Sequence, residues 1–282
     1  MYIIFSNVNH NNGDKMQKNK YKMRTDLAIE DIKLYSDNMK KYKNIDVIDI
    51  TLNSREAKII GKRKGRYITI QFDNIRKNYD NILKVLNEEL ESIIAYLKIK
   101  NNDSCLVIGL GNEKLIYDSL GPKTIDKLLI TSHLKKNKYR KVSSFIPNVI
   151  SSTGIDTAKI VEGITNIIKP DFVIIIDSLM SKNIDRLNKT IQITDSGIIP
   201  GSALGNKKAI SSSTLNIPVI SIGVPFTLDI YSIFKNISYK KIDSLYEKFY
   251  KNGMTIITND IDYLVDRFSS LISSSLNDIL HK

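Results

Sequence analysis

Uninterrupted apolar runs recur along this chain and predict its buried strands. The three strongest runs, at residues 105–110, 172–176 and 219–223, are rich in Val, Ile and Leu and are bounded by Gly, Pro or Asp. Continuous apolar residues, without alternation, are typical of parallel strands covered on both faces. Less continuous patterns predict four more strands, at 43–52, 66–72, 142–149 and 190–193.

Apolar residues at helical spacing predict helices that alternate with these strands. The predicted helices cover residues 80–98, 121–134, 152–168, 179–187 and 260–280. The alternation predicts an α/β fold, a mainly parallel sheet flanked by helices, with a core at about residues 100–282. Residues 40–75 are predicted to form a small β-containing appendage. Residues 1–23 are polar and aperiodic, which predicts a mobile arm.

Composition narrows the possible settings of the protein. The chain has 282 residues, of which 42% are apolar, but it has no apolar stretch long enough for a transmembrane helix. The run at residues 1–5 is too short for a secretory signal. Cys105 is the only cysteine, so an internal disulfide is excluded and a cytoplasmic location is expected.

A net charge of +12 is compatible with nucleic acid, an acidic membrane or an acidic protein substrate. Only residues 62–66 form a compact basic cluster, and the other lysines are dispersed among acidic and aliphatic residues. This pattern favours a solvated face or a patch that steers an acidic substrate.

Two aspartates follow the first two core strands. Asp177 comes directly after the second run, and Asp118 follows the first after a short loop. Functional groups gather outside the carboxyl ends of parallel strands. Two neighbouring carboxyl groups do not easily both ionise, so one keeps its proton and acts as an acid while the other acts as a base. Alternatively, the two carboxylates bind a divalent metal that activates water. A purely structural interpretation is equally compatible with the sequence: Asp177 would cap a helix and Asp118 would brace a turn.

Other motifs are weaker. Gly109 and Gly111 match part of a dinucleotide fingerprint whose third glycine is missing, which favours a tight turn at the sheet edge. The three histidines lack metal-binding spacing, and no Gly-x-Ser-x-Gly elbow occurs. The loop at 195–208 is interpreted either as a cradle for a substrate backbone or as a plain connection.

Several segments resemble the germination proteases of spore-forming Firmicutes (peptidase family A25), endopeptidases that degrade small acid-soluble spore proteins. The similarity runs in order from about Arg24 to His281. The segments that carry it are 24–30, 61–67, 105–112, 118–123, 128–134, 170–177, 186–202 and 205–207.

The resemblance implies a fold like that of hydrogenase maturation proteases, with Asp118 and Asp177 as the catalytic pair or as ligands of a metal. It also implies a precursor that removes its own N-terminal segment. The cut would fall between Asp26 and Leu27, which divides the chain into a propeptide (1–26) and a mature peptidase (27–282). A homotetramer in the forespore or spore core is implied, with small acid-soluble proteins as substrates and with neither membrane nor nucleic acid as a direct partner.

Residues 25–30 resemble the family's substrate motif, which is Thr-Glu, then Phe or Ile, then Ala-Ser-Glu. An acidic substrate suits a basic groove, and the candidate substrate-binding residues are Lys62, Arg63, Arg66, Asp195, Lys207 and Lys208. The segment at 230–251 is shorter than in the family. Two alternatives stay open: a metal-dependent maturation protease for another protein, and a non-catalytic basic spore protein associated with DNA.

Overall fold

The structure is a computed structural model that describes residues 4–5, 25–33, 39–134, 139–201, 208–229 and 256–282. The predictions for most of the arm, for Lys207 and for the segment at 230–251 lie outside this range. Among the described helices, none is both long and apolar enough to cross a membrane.

The strands are β1 (Ile4–Phe5), β2 (Ile32–Lys33), β3 (Met39–Tyr42), β4 (Ile45–Leu52), β5 (Gly65–Phe72), β6 (Cys105–Gly109), β7 (Val142–Phe145), β8 (Phe172–Ser181), β9 (Thr190–Thr194) and β10 (Val219–Leu228). The helices are α1 (Ser54–Ile60), α2 (Ile75–Tyr96), α3 (Leu120–Ile125), α4 (Ile150–Thr153), α5 (Thr157–Ile168), α6 (Ser212–Leu215) and α7 (Ile261–Leu280).

Eight strands form one sheet in the order β3-β4-β5-β9-β10-β8-β6-β7. The neighbours β10–β8, β8–β6 and β6–β7 are parallel, and the pairs on the other side of β10 are antiparallel. The predicted α/β class, with parallel core strands flanked by helices, is therefore confirmed. The N-terminal strands β3 to β5 continue the same sheet, because β5 pairs with β9.

The apolar core strands are buried on both faces. In β8, Ile174 and Ile176 pack in the cluster that contains the apolar faces of α2 and α7, whereas Val173 and Ile175 pack on the opposite face with Val161 of α5. Both sides of the strand thus exclude water, which explains why its sequence is continuously apolar.

Two predicted helices differ most from the structure, while smaller errors concern the start of α2, the end of β7 and the start of α5. The helix predicted at 179–187 is absent, because β8 continues to Ser181, paired with β10 throughout, and only a 3-10 turn follows at Ile184–Arg186. Helix α3 ends at Ile125 rather than near residue 134. There the backbone N–H groups of Thr131 and Ser132 donate to the carbonyl of Val142, so this segment is held against β7 instead.

Candidate active site

A glycine-dependent turn positions Asp118. The backbone N–H of Asn112 donates both to the carbonyl oxygen of Asp118 (3.1 Å) and to its carboxylate Oδ2 (2.9 Å). Gly111 has φ +117°, and a Cβ there would lie 1.9 Å from the Asp118 carbonyl oxygen. Only glycine fits this approach. The predicted turn role is confirmed for Gly111, and it places the Asp118 carboxylate at the sheet edge, whereas Gly109 is the last residue of β6.

Burial raises the pKa of Asp118 to about 6, although the Asn112 N–H acts in the opposite direction. A carboxyl group in this range is deprotonated near neutral pH and still basic enough to accept a proton from water. The residue therefore both braces its turn and retains a group suited to acid–base chemistry.

Asp177 lies inside β8 and caps no helix. Its position still matches the edge of the parallel sheet, because β6 ends with the pair Gly109–Ile176 while β8 continues along β10. The Ser178 N–H donates to Asp177 Oδ1 at 2.9 Å. The pKa of Asp177 is nevertheless raised well above its ordinary value, first by burial and then by the negative charges of Asp118 and Asp26.

Both aspartates line one cleft with a volume of about 730 Å³. The structure thus brings together two acids that are far apart in sequence, close enough for the charge of Asp118 to affect the pKa of Asp177. Thr25 and Asp26 line the same cleft. The residue before the predicted cut therefore lies beside the predicted catalytic pair.

Hydrogen bonds hold the segment around Asp26 against β8. The Asp26 N–H donates to the Met180 carbonyl (2.9 Å), and the Met180 N–H donates to Asp26 Oδ2 (2.8 Å). The Lys62 ammonium donates to the Thr25 carbonyl at 2.6 Å. Leu27 and Ala28 are fully buried. The segment therefore enters the cleft with Thr25 and Asp26, and a buried 3-10 turn at Ala28–Asp31 follows the Asp26–Leu27 bond directly.

Glu30 provides a second anchor downstream. Its carboxylate accepts hydrogen bonds from the Ser181 hydroxyl (2.5 Å) and from the backbone N–H groups of Lys182 (2.8 Å) and Asn183 (3.2 Å). Backbone N–H groups grouped in this way favour a negative charge. Sequence reasoning did not find this site, because its donors belong to a stretch that was predicted to be helical.

Gln192 of β9 was also missed, although it is a polar residue in the middle of an apolar strand. It is 6% exposed and lines the cleft. Its side-chain Oε1 accepts from the Ala28 N–H at 2.8 Å, and its Nε2 donates to the Asp26 carbonyl at 3.4 Å. The amide of Gln192 thus contacts the chain on both sides of the predicted cut.

Of the predicted basic residues, Lys62 and Arg63 line the cleft. Burial lowers the pKa of Lys62, and the charges of Asp26, Asp31 and Glu30 oppose that shift. The guanidinium of Arg63 donates to the Ser196 carbonyl (2.8 Å) and to the Ser211 hydroxyl (2.9 Å), which fixes the cleft wall.

Of the remaining candidates, the three that the structure describes (Arg66, Asp195 and Lys208) do not line the cleft. Arg66 forms an ion pair with Asp49 at 2.7 Å. Asp195 accepts the Arg66 N–H at 2.6 Å, and burial raises the pKa of Asp195. Lys208 lies 3.9 Å from Asp156, which is itself a lining residue.

The cleft offers few ligands for a metal ion. Within the described ranges, no group of three or more His, Cys, Asp or Glu side chains could share a metal. Catalytic zinc sites use about three protein ligands, and Asp118 with Asp177 supplies two. These two residues alone do not complete such a zinc site.

Several known proteins are similar in sequence to most of this chain. The family model for germination protease (Peptidase_A25) matches residues 10–252. A germination protease of Priestia megaterium is 41% identical over 249 residues, covering 78% of this chain and 67% of that protein. One from Clostridium acetobutylicum is 33% identical over 307 residues, covering 90% and 94%. Among solved structures, the [NiFe] hydrogenase maturation protease HycI from Thermococcus kodakarensis matches with a TM-score of 0.35 and 15% identity, covering 62% of this chain and 92% of that one.

Proposed function

This chain belongs to the germination protease family, and we propose that it is a self-processing endopeptidase that starts the degradation of small acid-soluble spore proteins. The observation that carries the proposal is that Thr25 and Asp26 share one cleft with Asp118 and Asp177. A tethered segment has a high effective concentration, so it occupies the cleft before any external substrate does. The first cut is therefore at the Asp26–Leu27 bond.

The two aspartates divide the acid–base work. Carboxyl groups whose environments raise their pKa values to different extents take different roles. The pKa of Asp177 is raised by burial and by two negative charges, whereas that of Asp118 is about 6. We assign the shared proton to Asp177 and the base to Asp118, and the pair titrates as a unit.

In the proposed reaction, a water oxygen attacks the Asp26 carbonyl carbon while Asp118 takes the proton of that water. The carbonyl electron pair moves to its oxygen, giving a tetrahedral intermediate. When the carbonyl reforms, the C–N bond breaks and Asp177 gives its proton to the Leu27 nitrogen. The products are a carboxyl group on Asp26 and a free amine on Leu27.

The anchors around the cut indicate which substrates fit. An acidic residue before the cut would accept the Met180 N–H as Asp26 does, and an acidic residue four positions after the cut would occupy the Glu30 site. Thr-Glu-Phe-Ala-Ser-Glu sequences, expected in the family's substrates, have both acids. Lys62 would donate a hydrogen bond to the backbone carbonyl of the Thr that precedes the first Glu, as it does to the Thr25 carbonyl. The proposal also includes action in the spore core and assembly into a homotetramer. Light scattering of the purified chain tests the homotetramer.

The test is cleavage of a peptide that contains Thr-Glu-Phe-Ala-Ser-Glu by the self-processed chain, with and without a chelator. We expect a cut after Glu at the same rate in both samples, and a slower cut when either Glu is replaced by Gln. The matched control is a peptide of the same composition in which the order of these six residues is reversed. Complete inhibition by the chelator would overturn the carboxyl mechanism, and an uncut peptide would overturn the activity.

A further inference from the structure

We propose that Gln192 is a catalytic residue that donates a hydrogen bond to the oxygen of the bond being cut. The inference rests on the proposed function, since it takes Asp26–Leu27 as the bond that reacts. It adds a third group, opposite Asp177 in the sheet, at the place where negative charge develops.

Strand register places Gln192 across from Asp177. Gly223 of β10 pairs with Asp177 on one side and with Gln192 on the other. Residues directly opposite one another in a sheet point to the same face, and neighbouring strands lie about 4.8 Å apart. Asp177 and Gln192 therefore face the cleft from positions about 10 Å apart. Gly223 has no side chain, so no side chain of β10 separates them at this level.

The hydrogen bonds determine the orientation of the Gln192 amide. The Ala28 N–H is only a donor, so the atom 2.8 Å from it is the carbonyl oxygen Oε1 of Gln192. The Nε2 group must then point the other way, toward the Asp26 carbonyl oxygen at 3.4 Å. One bond holds the amide in place, and the other directs a donor at the reacting carbonyl.

This donor gains strength during the reaction. The 3.4 Å contact to the neutral carbonyl is long for a hydrogen bond. When water adds, the oxygen becomes negative and moves out of the peptide plane. A donor that is already fixed in position then stabilises this oxygen more than it stabilises the neutral carbonyl of the substrate. Removing one such donor typically slows an enzyme by about 10²–10³-fold.

The key variant is Gln192→Glu in the full chain, which keeps an oxygen for the Ala28 N–H but loses the amide donor. We expect its first-order rate of self-processing at pH 7.5 to fall about 100-fold or more. Hydrogen exchange of residues 25–31 should stay as slow as in an uncut Asp177→Asn chain. The rate relative to wild type should recover partly at low pH, because a protonated Glu carboxyl again donates.

Gln192→Met has a side chain of similar length but no hydrogen-bond donor at any pH. Self-processing of this variant should be slow and should not recover at low pH. The matched control is Gln71→Met on neighbouring β5, whose amide accepts from Arg186 outside the cleft and should leave the rate within about threefold. If one Gln192 variant loses its cooperative unfolding transition, the rate of self-processing of the other variant tests the inference.

Processing of a folded variant within about threefold of wild type would overturn the inference, using the same threshold as the control. Loss of exchange protection in parallel with the rate would overturn it too, since Gln192 would then only anchor the segment. Failure of the proposed function is distinguishable, because the wild-type chain itself would then not process.

Discussion

Replacing Asp118 by Asn should stabilise the fold at neutral pH. Burial raises the pKa of this carboxyl from 3.8 to about 6 in the folded chain, and a shift of that size corresponds to about 3 kcal/mol of stability lost once the group is ionised. Asn has no charge to desolvate. It still accepts the Asn112 N–H, and the effect of that bond is already included in the raised pKa. The expected net gain at pH 7 is about 3 kcal/mol.

The gain should depend on pH in a defined direction. Because the folded pKa is raised, the favourable contribution of protonated Asp118 is complete below about pH 4 and is lost as the pH rises through about 6. The stabilisation by Asn should therefore narrow from about 3 kcal/mol at pH 7 to about 1.5 kcal/mol at pH 5.

The assay is urea unfolding at pH 5 and pH 7, with both chains carrying Asp177→Asn so that neither is processed. The matched control is Asp266→Asn on the exposed face of α7, where Lys127 lowers the carboxyl pKa, so that this change should not stabilise the chain at pH 7. A destabilised Asp118→Asn chain at pH 7, or a gain that grows on acidification, would refute the account of a desolvated carboxylate.

Three further predictions concern the cleft. The rate of self-processing should rise with pH through about 6, as Asp118 ionises, and fall again once Asp177 loses its proton; a flat profile from pH 5 to 9 would contradict the acid–base pair. Gly111→Ala should lower the free energy of unfolding by more than about 1 kcal/mol and slow self-processing, because the new Cβ would clash with the Asp118 carbonyl oxygen. The control is Gly163→Ala on α5, where a Cβ meets open space; in urea unfolding this variant should be as stable as the wild type or more stable. Lys62→Met should slow processing severalfold through loss of its bond to the Thr25 carbonyl, and Lys64→Met, an exposed neighbour, should not; equal rates in the two variants would show that this bond does not position the segment.

The central strands were predictable because their physical signal is local. Residues 105–110 and 172–176 are apolar at every position, and burial on both faces requires just that pattern. The positions of Asp118 and Asp177 beside these strands followed from the same rule. The end of β8 did not, because its last residues are held by pairing with β10, a contact 40 or more residues distant that propensity does not record.

The polar contacts of the cleft were less accessible to prediction. Glu30 binds backbone N–H groups, which every sequence has, so no side-chain motif marks the site. Gln192 faces Asp177 only because Gly223 lies between them in register, and register across three strands is a tertiary property. Among the predicted basic residues, Arg66 makes a bidentate contact with Asp49 and does not line the cleft.

The central claim is that Asp118 and Asp177 act together on the bond after Asp26. The most direct measurement is the intact mass and N-terminal residue of the purified full chain over time, compared with Asp118→Asn, Asp177→Asn and the control Asp266→Asn. We predict that the wild type and the control come to begin at Leu27, while each active-site variant keeps its full mass and its fold. Either variant beginning at Leu27 at the wild-type rate, or a wild-type chain cut elsewhere, would contradict the account.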